Sequence, residues 1–243
     1  MDGIELAARF ALPPNSKRYC GKGDFREKFA AYLKGRTPAG RKALEKSLGK
    51  FNAHHAYLKL IAKANEKKPF DEKVAEALWI GNGLLKKVER RDLQKLIAEQ
   101  FSGKGMLSAM KARKLASSMP EGMLPHHSFH VLHVHTISGV IVPSVKNADS
   151  CRVSWGKVIG VKGGGKAVLV KTQKLASRNG KLALLPVNRV WKTSCAGIML
   201  LPDAEKGDIV ASHWGVAVMG LSKAQARQLE RATLHNIRAL NRG

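Results

Sequence analysis

Through the first half of the chain, apolar residues recur at spacings of three and four, the period of a helix with one buried face. In "DFREKFAAYLKG", Phe25, Phe29, Tyr32 and Leu33 share a face. Asp24 stands as N-cap with Glu27 three residues on, a capping-box pattern, and Gly35 ends the helix. "TPAGRKALEKSLGKFNAHHAYLKLIAKANE" opens with Thr37 as cap and Pro38 at the first helical position. Its Leu44, Leu48, Phe51, His55, Leu58 and Ile61 predict one long amphipathic helix, with Gly40 and Gly49 as weak points. "FDEKVAEALWI" stops near Asn82-Gly83, "RRDLQKLIAEQF" and "MLSAMKARKLASSM" add two more helices, and Pro120 closes the set. The pattern predicts an all-α bundle of roughly five or six helices.

The period then shortens to two. "SFHVLHVHTISGVIVP" alternates and is rich in Val and Ile, which predicts a strand. "CRVSWGKVIGV", "KAVLVKTQKL", "KLALLPVNRVWKT" and "GDIVASHWGVAV" follow as further strands, with turns at "KGGGK" and at Asn179-Gly180. The chain closes with a helix in which Ser222 and Gln225 form a capping box and Leu229, Thr233, Ile237 and Leu240 share a face. The expected class is α+β: a helical domain over 1–125, a His-rich linking strand over 126–150, and a small OB-like β-barrel with a C-terminal helix over 151–243.

Charge changes this picture. The net charge is +25, and residues 151–200 carry ten Lys or Arg with no Asp or Glu. Such a segment favours anionic partners, nucleic acid among them, or serves as a solvated face. With no run of apolar residues long enough to span a bilayer and no signal-peptide pattern in "MDGIELAARF", the expected location is cytoplasmic. Cys20, Cys151 and Cys195 are odd in number and far apart, so free thiols are expected, and no CxxC pair suggests a zinc ribbon.

Several stretches carry candidate chemistry. "PHHSFHVLHVH" holds His126, His127, His130, His133 and His135, and imidazoles suit zinc, iron and nickel. On a strand His133 and His135 point one way and His130 the other, so one site using all five is not expected. His54 and His55 form a second pair, of which only His55 falls on the apolar face of the long helix. "VKGGGKAV" lacks the helix a phosphate loop requires and reads as a hairpin turn. No nucleophile, base and orienting group stand together, so an enzyme ranks behind a binding protein.

From Cys151 onward, "CRVSWGKVIGV" and "GDIVASHWGVAVMGLSKAQARQLERA" resemble the hydrogenase-maturation chaperones of the HypC/HupF type. Cys151, Gly156 and "KVIGV" correspond to that family's opening. Gly207, Asp208, Val210, His213, Gly215 and Ala217 follow its second motif in order and spacing. The resemblance covers about 90 residues and is placed behind a helical half that resembles an uncharacterised archaeal or bacterial type, with "ALWIGNGLL" and "PHHSFHV" as signatures. It implies a metallocentre-assembly chaperone in which Cys151 and His213 carry iron and dock on a client or maturation protein. The residue chemistry allows this independently. Thiolate with imidazole suits iron or zinc, and flanking Arg152 and Lys157 would favour the thiolate. Cys151 is then expected at a barrel rim beside His213, with the "PHHSFHV" histidines as a third ligand or as supports. The alternative is a basic OB-like module for single-stranded nucleic acid, with Trp155, Trp191 and Trp214 as stacking faces.

Overall fold

A computed structural model describes residues 1–21, 25–136 and 138–242. The protein is α+β: a helical region, then a five-stranded sheet, then a long helix. The helices are α1 (Gly3–Ser16), α2 (Phe25–Gly35), α3 (Pro38–Leu48), α4 (Asn52–Ala64), α5 (Glu72–Trp79), α6 (Arg90–Gln100), α7 (Ala109–Ser117), the short α8 (His127–Phe129), α9 (Val145–Cys151) and α10 (Lys223–Leu240). The strands are β1 (Ser154–Lys162), β2 (Ala167–Arg178), β3 (Lys181–Lys192), the short pair β4 (Ser194–Cys195) and β5 (Ile198–Met199), then β6 (Ile209–His213) and β7 (Val216–Gly220).

Most predicted helices form with their expected caps. The Thr37 hydroxyl accepts from Gly40 N, and Ser222 with Gln225 completes the capping box of α10. The Asp24 cap lies outside the described residues.

Three elements depart from the sequence pattern. The long helix over 37–66 is two helices, broken between Leu48 and Asn52. At the break Phe51 packs on Phe25, ring centroids 5.6 Å apart, and against the backbone of Gly21. Gly21 has φ +77°, and a Cβ there would meet the Phe51 ring at 2.1 Å. Restarting the helix at Asn52 changes its phase. His54 becomes the buried histidine, while His55 is half-buried and stacks on Phe70.

The "PHHSFHV" stretch is not a strand. His126 Nδ1 accepts from Ser128 N to start α8, which widens into a π-helical turn over His130–Val134 closed by His135 N donating to His130 O. Phe129, Val131, Leu132 and Val134 are all buried. A segment covered on every side shows its apolar residues without a one-face period, so alternation did not distinguish strand from helix.

Helix α1 was not anticipated, for the same reason. It is apolar nearly all round and sits in the middle of the core, its Asp2 cap accepting from Glu5 N at 2.8 Å. Arg9 crosses from it to the sheet, donating to Leu200 O at 2.8 Å and Val218 O at 3.1 Å. One apolar core accordingly joins α1, α4 and α5 to Val153, Ala211 and Val218 of the second half.

In the sheet, neighbouring strands run β1-β2-β3-β7-β6, and β6 returns to β1 through Ser154↔Ser212 to Lys157↔Ile209. Between β3 and β7 the contact is a single parallel pair, Lys192↔Val216. The β2–β3 hairpin turns at Asn179 and Gly180, whose φ values of +49° and +76° fit the expected two-residue turn. Gly156 is required by crowding: a Cβ there would lie 2.5 Å from both Lys171 O and Val170 Cγ1. Among the described residues no helix is long and apolar enough to cross a membrane.

Candidate metal centre

Three side chains from separate elements converge between the helical region and the sheet. His127 comes from α8, Cys151 is the last residue of α9, and His213 is the last residue of β6. One ligand atom from each lies within 4.8 Å of the others. The expected closeness of Cys151 to His213 is therefore present. Cys151 ends a helix rather than opening a strand; Cys151 and His213 are buried, 8% and 1% exposed, and His127 is half-buried. A position on an exposed rim is excluded.

Hydrogen bonds leave donor atoms free. His213 Nδ1 donates to Phe10 O at 2.6 Å, which leaves the Nε2 lone pair buried and without a partner. His127 Nε2 donates to the Cys151 carbonyl at 3.0 Å, so Nδ1 is that ring's acceptor. Imidazoles fixed by a carbonyl on one nitrogen and open on the other are the usual form of a metal-binding histidine. A tetrahedral ion would draw the ligand atoms to about 3.3–3.6 Å from one another, a small contraction from the present spacing.

Burial sets the protonation states. It holds His213 down to about 4, against the ring's bond to the Phe10 carbonyl, and pushes His127 well below the usual imidazole range, with His213 as a further cause. Both rings are neutral at pH 7. Burial also pushes the Cys151 thiol up, against the Trp214 side chain, which lowers it. This corrects the expected activation by Arg152 and Lys157. Lys157 is exposed on β1, and the Arg152 guanidinium is engaged elsewhere. A buried thiol with no cation at hand needs a metal to lose its proton.

What Arg152 does is hold the site's frame. Its Nε donates to Asp149 Oδ1 at 3.1 Å and its Nη2 donates to Gln173 O. Asp149 also accepts from Leu175 N at 2.7 Å and from Arg189 at 2.5 Å. This buried carboxylate ties α9, and with it Cys151, to β2 and β3. His127 has a comparable frame. His126 Nε2 donates to Trp79 O, and Asn236 of α10 donates to Leu124 O and Ser128 Oγ around the same turn. Aromatic rings complete the enclosure: Trp79 lies 4.5 Å from His127 and 5.5 Å from His213, centroid to centroid.

Of the five clustered histidines only His127 enters the group. His126 is used in capping, His133 donates to Leu115 O, His135 to Val131 O, and His130 Nδ1 bonds the Tyr57 hydroxyl. All three thiols are free, as expected, and Cys195 lies apart from the group beside Ser16. The ligand group borders a cavity of about 290 Å³, also lined by Cys20, His54, His130, Tyr57 and Trp79. Of the three tryptophans expected as stacking faces, Trp191 is buried in the sheet core and Trp214 packs on Tyr19 at 4.6 Å.

Over its whole length, residues 1–243, the sequence matches the model of a family of unknown function, DUF6390. The chain belongs to the DUF6390 family. No curated protein and no solved structure matches it. The DUF6390 match spans both the helical region and the sheet. Nothing in these matches links the chain to the hydrogenase-maturation chaperones.

Proposed function

We propose that this DUF6390 protein binds one transition-metal ion through His127, Cys151 and His213, with a further coordination position open to the cavity. The observation that carries the reading is the buried, unpartnered Nε2 of His213 beside a thiol and a second imidazole. A lone pair buried without a partner costs stability, and a metal would recover it. One soft sulfur and two borderline nitrogens suit iron or zinc. In the HypC-like reading, which pairs Cys151 with His213, the ion is iron bound for a hydrogenase-type client. In that reading the ion would enter and leave through the cavity that the three ligands border.

Metal analysis of anaerobically purified protein tests the proposal. About one equivalent of metal is expected, lost in Cys151→Ser, His213→Ala and His127→Ala, and kept in Cys195→Ser. Retention of a full equivalent by Cys151→Ser rejects the site. Transfer of the iron to a metal-free hydrogenase large subunit tests the chaperone role separately.

The nucleic-acid reading has one favourable observation. Eight of the ten basic residues in 151–200 are exposed, all but Arg152 and Arg189. RNA retention that falls linearly with salt on a log-log plot supports it. Weak retention already at low salt rejects it.

A further inference from the structure

The metal group forms only part of the cavity wall, and the remainder has its own chemistry. His54 also lines it. This side chain is 7% exposed, and neither ring nitrogen has a hydrogen-bond partner. Its ring stands 5.4 Å from Trp79 and edge-on to Phe51 at 6.0 Å. Burial lowers its pKa to about 3, with His55 a smaller cause, so it is a neutral ring offering one donor and one acceptor. Two unmet polar atoms deep in an aromatic wall are costly unless something occupies the space beside them.

Charge narrows the occupant. None of the described residues lining the cavity is Asp or Glu, whereas Arg18 and Lys50 stand exposed at its edge. A divalent ion held by one thiolate and two neutral imidazoles keeps a net positive charge. With that charge and two cations nearby, the space favours an anion. A volume of about 290 Å³ is at the small end of ligand pockets. Phe51, Tyr57 and Trp79 give it an apolar, aromatic wall. Trp79 adjoins His54 as well as His127 and His213, and all four line the one cavity, so a small molecule beside Trp79 is within reach of both His54 and the ligand group.

We propose that the cavity binds a small organic carboxylate: the carboxylate takes the open metal position, an apolar body lies along Trp79, and a second polar group hydrogen-bonds His54. This rests on the metal reading and specifies the ligand of the same site.

Cobalt(II)-substituted protein separates the two claims. A thiolate-to-cobalt charge-transfer band, absent in Cys151→Ser, reports the metal; its absence from the unaltered protein overturns both. Titration with 4-hydroxybenzoate, benzoate and inorganic phosphate then reads the ligand through the visible cobalt bands. Saturable 1:1 binding of both carboxylates is expected, tighter for 4-hydroxybenzoate. His54→Phe should raise the Kd of 4-hydroxybenzoate about 3–10-fold and leave that of benzoate near its original value. Arg18→Gln with Lys50→Gln should weaken both. If His54→Phe does not hold cobalt, His54→Asn is measured in its place. An intact charge-transfer band with visible bands that no carboxylate alters overturns the carboxylate proposal alone. Equal response to phosphate overturns the organic part, and a His54 variant with unchanged affinity for 4-hydroxybenzoate overturns the assigned role of His54.

Discussion

Asp149 offers the most direct test of how the fold holds the site. Its carboxylate is 7% exposed and faces Arg152, whose side chain is 1% exposed. Burial lowers the Arg152 pKa, and Asp149 is the group that opposes this. Asp149→Ala therefore leaves a guanidinium charged, buried and short of a partner, a change that costs about 3–5 kcal/mol. It also frees Leu175 N, whose bond to the carboxylate is buried. The Arg189 pair adds little, because that side chain is 32% exposed and screened by solvent. At about 2 °C per kcal/mol for a chain of this length, Tm should fall by about 6–10 °C. Thermal unfolding followed by circular dichroism measures this. The double variant Asp149→Ala with Arg152→Met removes the stranded charge along with its partner and should recover part of the loss. A fall under about 2 °C in the single variant, or strict additivity in the double, would refute the claim that this pair anchors α9. Because α9 ends at Cys151, the single variant should also bind metal more weakly, and the double variant should not restore that.

Other consequences can be measured as simply. Burial holds His54 at about 3 and His126 and His213 at about 4, so as the pH falls below about 6.5 the unfolded chain takes up protons first. Stability of the metal-free protein should be flat above that pH and fall through the range down to about 3, with the buried His130 and His127 adding to the loss; equal urea midpoints at pH 7 and 5 would contradict it. Zinc binding at pH 7 should release one proton, from Cys151, since the imidazoles are already neutral, and calorimetry in buffers of different ionisation enthalpy counts it. Gly156→Val should cost at least about 2 kcal/mol, because the new Cβ meets a strand carbonyl rather than a movable side-chain end, and an unshifted Tm would show that β2 can yield.

Elements with one dry face were legible in the sequence. The faces of α2 and α10, the caps at Thr37 and Ser222, and the Asn179-Gly180 hairpin each rest on a local rule that tertiary contacts did not override. Elements covered on all sides were not legible, and α1 and the π-helical turn around Leu132 are both of that kind. The long helix failed at Phe51, where packing against Phe25 and Gly21 outweighs helical continuity. The sequence motifs placed Cys151 beside His213, and the two side chains do lie together, whereas His127 was one of five equivalent-looking candidates. A carbonyl occupies Nε2 of both rings; what separates His127 from His126 is Nδ1, which in His126 accepts from Ser128 N, a matter of three-dimensional placement. No sequence signal marked His54 as the inward ring, because its phase depends on the break before Asn52.

The bond from His213 to Phe10 O spans 203 residues, and those from Arg9 to Leu200 O and Val218 O span 191 and 209. During synthesis α1 thus leaves the ribosome long before the strands that cover it exist. At elongation rates of about 5–20 residues per second, its apolar surface waits at least about ten seconds for β6 and β7. Contacts of such separation are slow to form, and the exposed helix is open to wrong partners meanwhile. Because His213 lies on β6, the complete metal group can assemble only after that wait. Bound metal would therefore distinguish chains that have finished folding from those stalled with α1 still uncovered.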